Sequence, residues 1–140
     1  MNVVVDTSVW SLALRRRRPS EAPHVLELGE LVAEGRAVIL GPVRQELLSG
    51  VQGQGHFESL RDHLRAFPDV ELEMDDYEEA ARSFNACRTR GVQGSNTDFL
   101  ICAASMRRRL SILTTDADFG NFARVLPVRL HAPRAAFSRR

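Results

Sequence analysis

The chain has 140 residues, of which 44% are hydrophobic and 26% are charged, a composition typical of one globular domain with a buried core. It has no apolar run of 18 residues, and Asp6 interrupts the segment where a signal peptide would need its apolar core, so we expect a soluble cytoplasmic protein without a membrane segment. The formal net charge of +1 excludes nucleic-acid binding that depends on overall charge alone.

Two residue types that often mark function are uninformative here. All 19 basic residues are arginine. Arginine is the better phosphate ligand, but a complete absence of lysine is more typical of a genome-wide composition bias. Cys87 and Cys102 lack the spacing of a zinc site and are expected to pack in the core.

The first predicted element is a strand at Val3–Val5, whose unbroken β-branched run is typical of a strand covered on both faces. Asp6 follows at the carboxyl end of this strand, where open α/β sheets bind their ligands. The next residues, Thr7 and Ser8, carry hydroxyl groups. Asp, Thr and Ser are also ordinary helix N-caps, so Asp6 taken alone leaves a capping role and a catalytic role equally open.

A basic run, Arg15, Arg16, Arg17 and Arg18, precedes Pro19 and the next predicted helix. Such runs are most often solvated loops. Because this one lies close in sequence to Asp6, a contact with the phosphates of RNA or with an acidic partner is the alternative. If the run binds RNA, changing all four residues to Gln should weaken binding and flatten its salt dependence.

The central part of the chain alternates between helix and strand signals. A helix capped by Ser20 and ending at Gly35 precedes a buried strand at Ala37–Leu40. Gly41-Pro42 then turns into a helix that carries Glu46, a residue type that is normally a solvated surface group. The following predictions are a helix over His56–Phe67, an edge strand over Val70–Leu72, and a helix capped by Asp75 or Asp76 with Tyr77, Ala80, Ala81 and Phe84 facing inward.

The last part of the chain adds two more acids at element ends. Thr97-Asp98 is predicted to open the most apolar helix, Phe99–Met106. A strand is predicted over Leu110–Thr115. It ends in the string Thr114, Thr115, Asp116, Ala117, Asp118 and Phe119. A short helix over Phe119–Ala123, a fifth strand over Val125–Leu130 and a mobile tail over residues 133–140 complete a single domain of residues 1–132.

Alternating strands and helices imply right-handed crossovers and a parallel sheet of four to five strands, with the loops after the strands gathered at one edge. Asp6, Glu46, Asp98 and Asp116 can converge at that edge. Clustered carboxylates repel one another unless a hard cation such as Mg²⁺ neutralises them. A cation held there can activate water and orient a phosphate, so the arrangement suits phosphodiester hydrolysis.

The motifs VVVDTS, QELLSG, TDFLICAAS and LTTDADF, in this order and spacing, resemble those of the PIN-domain ribonucleases, most closely the VapC-like toxins of toxin–antitoxin pairs. The resemblance covers essentially the whole chain. It implies a three-layer α/β/α fold and a cytoplasmic, Mg²⁺-dependent endoribonuclease, with Mn²⁺ as a substitute metal. It also implies a VapB-like antitoxin and a homodimer.

By the same resemblance, Asp6, Glu46, Asp98 and Asp116 correspond to the catalytic acids of the family, with Asp6, Asp98 and Asp116 as metal ligands. The accessory residues are Thr7, Ser8, Thr114 and Asp118. The region between Gly50 and Phe67 is less typical of the family.

Two other functions compete with a ribonuclease. A phosphate-monoester hydrolase of the haloacid-dehalogenase type also begins with a strand and an Asp, but it needs a second acid two residues later, where this chain has Ser8. A binding or regulatory module could keep the fold without catalysis, although all four acids are present. Hydrolysis of a chromogenic phosphate monoester, or metal-dependent loss of RNA, separates these classes.

Overall fold

The computed structural model describes residues 1–14 and 21–134. The predicted basic run Arg15–Arg18, the predicted cap Ser20 and residues 135–140 of the predicted tail lie outside these ranges. In chain order the described elements are β1 (Val3–Val5), α1 (Thr7–Leu14), α2 (Pro23–Ala33), β2 (Ala37–Leu40), α3 (Gly41–Leu48), α4 (Gln54–Leu64), β3 (Asp69–Val70), α5 (Met74–Thr89), α6 (Asn96–Arg108), β4 (Ser111–Leu113) and α7 (Asp118–Phe122).

The four strands form one parallel sheet in the order β3-β2-β1-β4. Val3 pairs with Ala37 on one side and with Ser111 on the other, which places β1 inside the sheet. All three residues of β1 are fully buried. Because successive side chains of a strand point to opposite faces, both faces of the sheet are covered. The predicted α/β class with a central parallel sheet is confirmed.

The helices form two groups that cover the sheet. In the first group α1 packs against α2 and α3, α3 packs against α4, and α2 and α3 contact β2. In the second group α5 packs along α6, which contacts β4. Helix α6 buries Phe99 and every residue from Ile101 to Ser105, as its apolar sequence predicts. Within the described ranges, no helix is both long enough and apolar enough to span a membrane.

The predicted fifth strand, Val125–Leu130, is reduced to a single parallel bridge between Ile112 and Leu130. Pro127 has no backbone N–H to donate to a neighbouring strand. The Val128 N–H instead donates to the Leu126 carbonyl at 2.9 Å. The segment therefore turns where a continuous strand was expected.

Two other expectations about α5 were wrong. Its N-cap is Glu73, and Asp76, three residues later, accepts a hydrogen bond from the Glu73 N–H at 2.7 Å. Asp76 is thus the second member of a capping box rather than the cap. Tyr77 is 53% exposed and Ala81 is also exposed, although both were expected to face inward, because the helix turns its Ala80 and Ser83 side toward the core.

The segment before residue 135 is anchored to α2 through the buried carboxylate of Glu27. Arg134 donates to Glu27 from its backbone N–H at 2.9 Å, and His131 Nε2 lies 2.8 Å from the other carboxylate oxygen. Arg134 also forms an ion pair with Glu34 at 2.8 Å. Arg134 is thereby held against α2, whereas residues 135–140 of the predicted tail are outside the described ranges.

Candidate functional site

Asp6 lies at the centre of the candidate site, directly after β1, and is 5% exposed. Its Oδ2 atom accepts hydrogen bonds from Ser8 Oγ at 2.7 Å and from Thr114 Oγ1 at 2.8 Å. Thr114 reaches Asp6 because β1 and β4 are adjacent parallel strands whose carboxyl ends meet at the same edge. The two hydroxyl groups fix the orientation of the Asp6 carboxylate.

The same hydroxyls hold the loop that carries Asp116. Ser8 Oγ accepts from the Thr115 N–H at 3.1 Å, and Thr114 Oγ1 accepts from the Asp116 N–H at 2.9 Å. Asp116 Oδ1 in turn accepts from the Asp118 N–H at 2.9 Å. Asp118 therefore supports the loop through its backbone, and its own carboxylate is exposed.

Glu46 lies on α3, in the first helix after β2, and is exposed. Thr7 Oγ1 donates a hydrogen bond to Glu46 Oε2 at 2.9 Å. This contact joins the start of α1 to α3, so the hydroxyl next to Asp6 in sequence positions a second predicted acid. Thr7 and Ser8 thus have different partners, a distinction that the sequence left open.

Asp98 is the third residue of α6, and Ser95 is the N-cap. Ser95 Oγ accepts from the Asp98 N–H at 3.1 Å, and Asp98 Oδ2 accepts from the Ser95 N–H at 3.0 Å. Sequence reasoning missed Ser95, although Ser-x-x-Asp before an apolar run is a capping-box signature. The capping box fixes the Asp98 carboxylate relative to the helix start.

The pKa of Asp98 is raised above its usual value. Burial is the main cause, and the negative charges of Asp6 and Asp116 add to it, although the hydrogen bonds from Ser95 act in the opposite direction. Repulsion of this kind requires that the three carboxylates lie near one another. Hydrogen bonds through Thr114 connect Asp6 and Asp116, and the raised pKa places Asp98 within the electrostatic influence of both. Their catalytic roles stay a prediction.

Aromatic side chains beneath the acids connect the two acid-bearing segments. The ring centroids of Phe99 and Phe122 are 4.9 Å apart, and those of Phe119 and Phe122 are 5.1 Å apart. The loop before Ser95 lies against these rings at Gly94, where an added Cβ would come within 2.5 Å of Phe122 Cζ. This close approach is the reason that only glycine fits there, and sequence analysis did not single it out.

Within residues 1–14 and 21–134, no group of three or more Asp, Glu, Cys or His side chains is arranged so that it could hold a metal ion. A closed protein cage for a metal is therefore not preformed. The donor set nevertheless suits Mg²⁺, which binds through one or two carboxylates and keeps several waters. Only Oδ2 of Asp6 accepts hydrogen bonds from the described residues, which leaves Oδ1 for such a contact.

Comparisons with known proteins agree with this geometry. The chain is 28% identical to ribonuclease VapC11 of Mycobacterium tuberculosis and to VapC ribonuclease Mb1587 of Mycobacterium bovis, over 88% of this chain and 92% of each relative. Its fold matches a chain in the crystal structure of VapBC2 from Rickettsia felis bound to a promoter DNA fragment, with a TM-score of 0.76, 16% identity, and coverage of 94% and 98% of the two chains. The PIN domain family model matches residues 3–125. The chain therefore belongs to the PIN-domain family.

Proposed function

We propose that this protein is a Mg²⁺-dependent endoribonuclease that cleaves RNA phosphodiester bonds and acts as the toxin of a toxin–antitoxin pair. The observation that carries the proposal is the fixed Asp6 carboxylate, held by Ser8 and Thr114 in the electrostatic neighbourhood of Asp98 and Asp116. The relatives named as VapC ribonucleases support the same activity.

In this proposal Asp6, Asp98 and Asp116 hold Mg²⁺, with Mn²⁺ as a substitute. A divalent cation would relieve the repulsion that contributes to the raised pKa of Asp98. When bound, it supplies an activated water and charge stabilisation at the phosphate. Ser8 and Thr114 orient Asp6, and Thr114 also holds the backbone of Asp116.

Glu46 is proposed as the fourth catalytic acid. It follows β2 on α3, at the edge of the sheet where β1 and β4 also end, and its exposure leaves the carboxylate open to solvent and substrate. The hydrogen bond from Thr7 limits the orientations available to this carboxylate. An oriented carboxylate at the rim can accept a proton from an attacking water molecule.

The proposed partners are RNA, a VapB-like antitoxin and a second copy of the chain. A VapBC2 complex is among the solved structures that share this fold, and the family pattern therefore favours an inhibitory partner. Co-expression with the proposed VapB-like antitoxin should relieve growth inhibition by the free protein. Light scattering of the free protein tests the dimer.

The activity is tested by incubating single-stranded RNA with the purified protein in Mg²⁺ or in a chelator. Asp116→Asn should abolish cleavage, because it removes a proposed metal ligand. Asp62→Asn is a matched control, since Asp62 is an exposed acid on α4 that pairs with Arg61. RNA cleavage that continues in the chelator, or in the Asp116 variant, would contradict the proposal.

Two further results would assign the protein to the competing classes. Hydrolysis of a chromogenic phosphate monoester without RNA cleavage would favour a phosphate-monoester hydrolase. RNA or antitoxin binding without any hydrolysis would favour a binding module.

A further inference from the structure

A pocket with a volume of about 310 Å³ lies between the end of α6 and the segment that follows α7. It is located near the amino end of β4, whereas Thr114 and Asp116 follow the carboxyl end of this strand. The pocket is therefore separate from the candidate active site. Its lining residues are Ser105, Met106, Arg109, Leu110, Pro127 and Arg129.

The two arginines of this pocket carry charges that no described residue neutralises. The preceding arginines, Arg107 and Arg108, both form ion pairs with Asp76. Arg109 and Arg129 are exposed, and within the described ranges their side chains make no hydrogen bond or ion pair. No acidic residue is among the described residues that line the pocket, so its electrostatic preference is for an anion.

The backbone of Arg109 is in the left-handed conformation, with φ 54° and ψ 44°. Arg109 is the only non-glycine residue with positive φ in the described part of the chain. Glycine is the usual residue where a helix ends in this conformation, because a Cβ makes it unfavourable. Unfavourable backbone conformations are concentrated at functional sites, and here the conformation belongs to a residue that lines the pocket.

We propose that this pocket binds a phosphorylated nucleotide unit, with its phosphate between Arg109 and Arg129. Guanidinium groups bind phosphate oxygens in a bidentate manner and are the preferred protein ligands for this group. Met106, Leu110 and Pro127 supply an apolar wall for the base or ribose. The volume is at the lower end of the range of roughly 300–1,000 Å³ that is typical of small-molecule sites.

The bound unit is either a free nucleotide or one nucleotide of a bound RNA strand. Thr114 is five positions after Arg109 in the sequence, which is at most about 17 Å of extended chain. An RNA strand bound at the acids would reach the pocket by running over the surface from the carboxyl end of β4 to its amino end. The anion-binding inference itself does not depend on the proposed nuclease activity.

The test measures binding of two probes, adenosine monophosphate and a short single-stranded oligoadenylate, by calorimetry in the presence of a chelator. The variants are Arg129→Gln and Arg109→Gly. Arg65→Gln is the matched control, because Arg65 is exposed at the end of α4 and makes no side-chain pair with a described residue. The chelator prevents metal-dependent cleavage, so the result is independent of catalysis.

Each pocket variant should weaken binding about tenfold, as expected for the loss of one charge-assisted hydrogen bond. For the oligonucleotide, each should also reduce the slope of log affinity against log salt by about 0.7. Arg109→Gly should raise the melting temperature, because glycine relieves the left-handed conformation. Weaker binding by a more stable variant cannot result from unfolding.

The two probes distinguish the sources of the nucleotide. Weaker binding of both probes assigns the pocket to the RNA strand, whereas an effect on adenosine monophosphate alone assigns it to a free nucleotide. If both pocket variants bind both probes as tightly as the Arg65 variant does, the pocket is not a nucleotide site and the inference is overturned.

Discussion

Thr7 Oγ1 donates a hydrogen bond to Glu46 Oε2 at 2.9 Å, across 39 residues of sequence. Thr7 directly follows Asp6. Two adjacent residues at the end of β1 therefore provide one acid, Asp6, and orient a second acid, Glu46. The neighbouring hydroxyl, Ser8, binds Asp6 itself at 2.7 Å. Of these two adjacent hydroxyls, the one on Thr7 therefore orients Glu46 and the one on Ser8 orients Asp6.

Replacing Thr7 tests this orientation of Glu46. Thr7→Val keeps the shape of the side chain but removes the hydroxyl, and RNA cleavage should fall about tenfold, since a hydrogen bond to a charged group contributes about 1.5–3 kcal/mol. Thr7→Ser keeps the hydroxyl and should retain activity close to that of the parent. Equal activity of the two variants would show that the contact does not orient Glu46 during catalysis.

The Asp98→Asn variant separates the effect of the Asp98 charge from the role of this residue in the capping box. The raised pKa means that the folded protein holds this proton to higher pH than the unfolded chain does. The metal-free protein therefore loses stability as pH rises from the usual Asp value through the folded pKa. The Asn variant lacks this loss, and its amide oxygen can still accept from the Ser95 N–H, so its metal-free melting temperature should be higher at neutral pH.

The same variant should lose RNA cleavage and most of the stabilisation by Mg²⁺. For an intact site at a hundredfold excess over the dissociation constant, that stabilisation is about 2.7 kcal/mol. Melting curves of both proteins in chelator and in Mg²⁺, alongside a cleavage assay, provide the measurement. An Asn variant that cleaves RNA and responds to Mg²⁺ like the parent would remove Asp98 from the metal site.

Gly94→Ala tests whether the loop before α6 positions Asp98. The new Cβ would come within 2.5 Å of Phe122 Cζ, so the loop and the rings must separate, at a cost of about 1–3 kcal/mol in folding free energy. Because Ser95 and Asp98 follow in the same capping box, cleavage should also fall. Denaturant unfolding and the cleavage rate are measured on the same variant.

Gly29→Ala is the matched control for that change. Gly29 lies within α2, and nothing lies within 4 Å of an added Cβ. Alanine should therefore stabilise the helix by about 0.5–1 kcal/mol and leave cleavage unchanged. If both variants behave alike, the packing of Gly94 against Phe122 does not determine the position of Asp98.

Asp76 is expected to produce an acid-dependent loss of stability. It is fully buried, and the hydrogen bond from Arg108 is the main cause of its lowered pKa. The ionised pair contributes stability above the usual Asp pKa, and this contribution is lost as pH falls toward the depressed value. Asp76→Asn should destabilise the protein by about 3 kcal/mol at neutral pH, because it leaves Arg108 without its carboxylate partner and Arg107 with only the exposed Asp75 at 3.6 Å.

The difference between Asp76→Asn and the parent should shrink when unfolding is measured below the usual pKa of Asp. The exposed pair of Arg61 and Asp62, at 3.0 Å, is the comparison. Asp62→Asn should change stability by less than about 1 kcal/mol at either pH. A constant difference for Asp76 across this pH range would show that its charge is not the source of its effect.

Local sequence patterns determined the strands, the main helices and the order of the acids. The buried run Val3–Val5 is recognisable because a strand covered on both faces needs apolar residues without alternation. The resemblance to PIN-domain proteins likewise rests on short motifs in a fixed order. These signals come from adjacent residues, so they can be recognised without knowledge of the fold.

The tertiary structure decided which of these residues meet. The partner of each hydroxyl, Asp6 for Ser8 and Thr114 but Glu46 for Thr7, depends on strand register and helix placement between distant segments. The pocket of Arg109 and Arg129 likewise forms only because the segment after α7 lies beside β4. Contacts of this kind arise from packing across the sheet, and a pattern of neighbouring residues carries no information about that geometry.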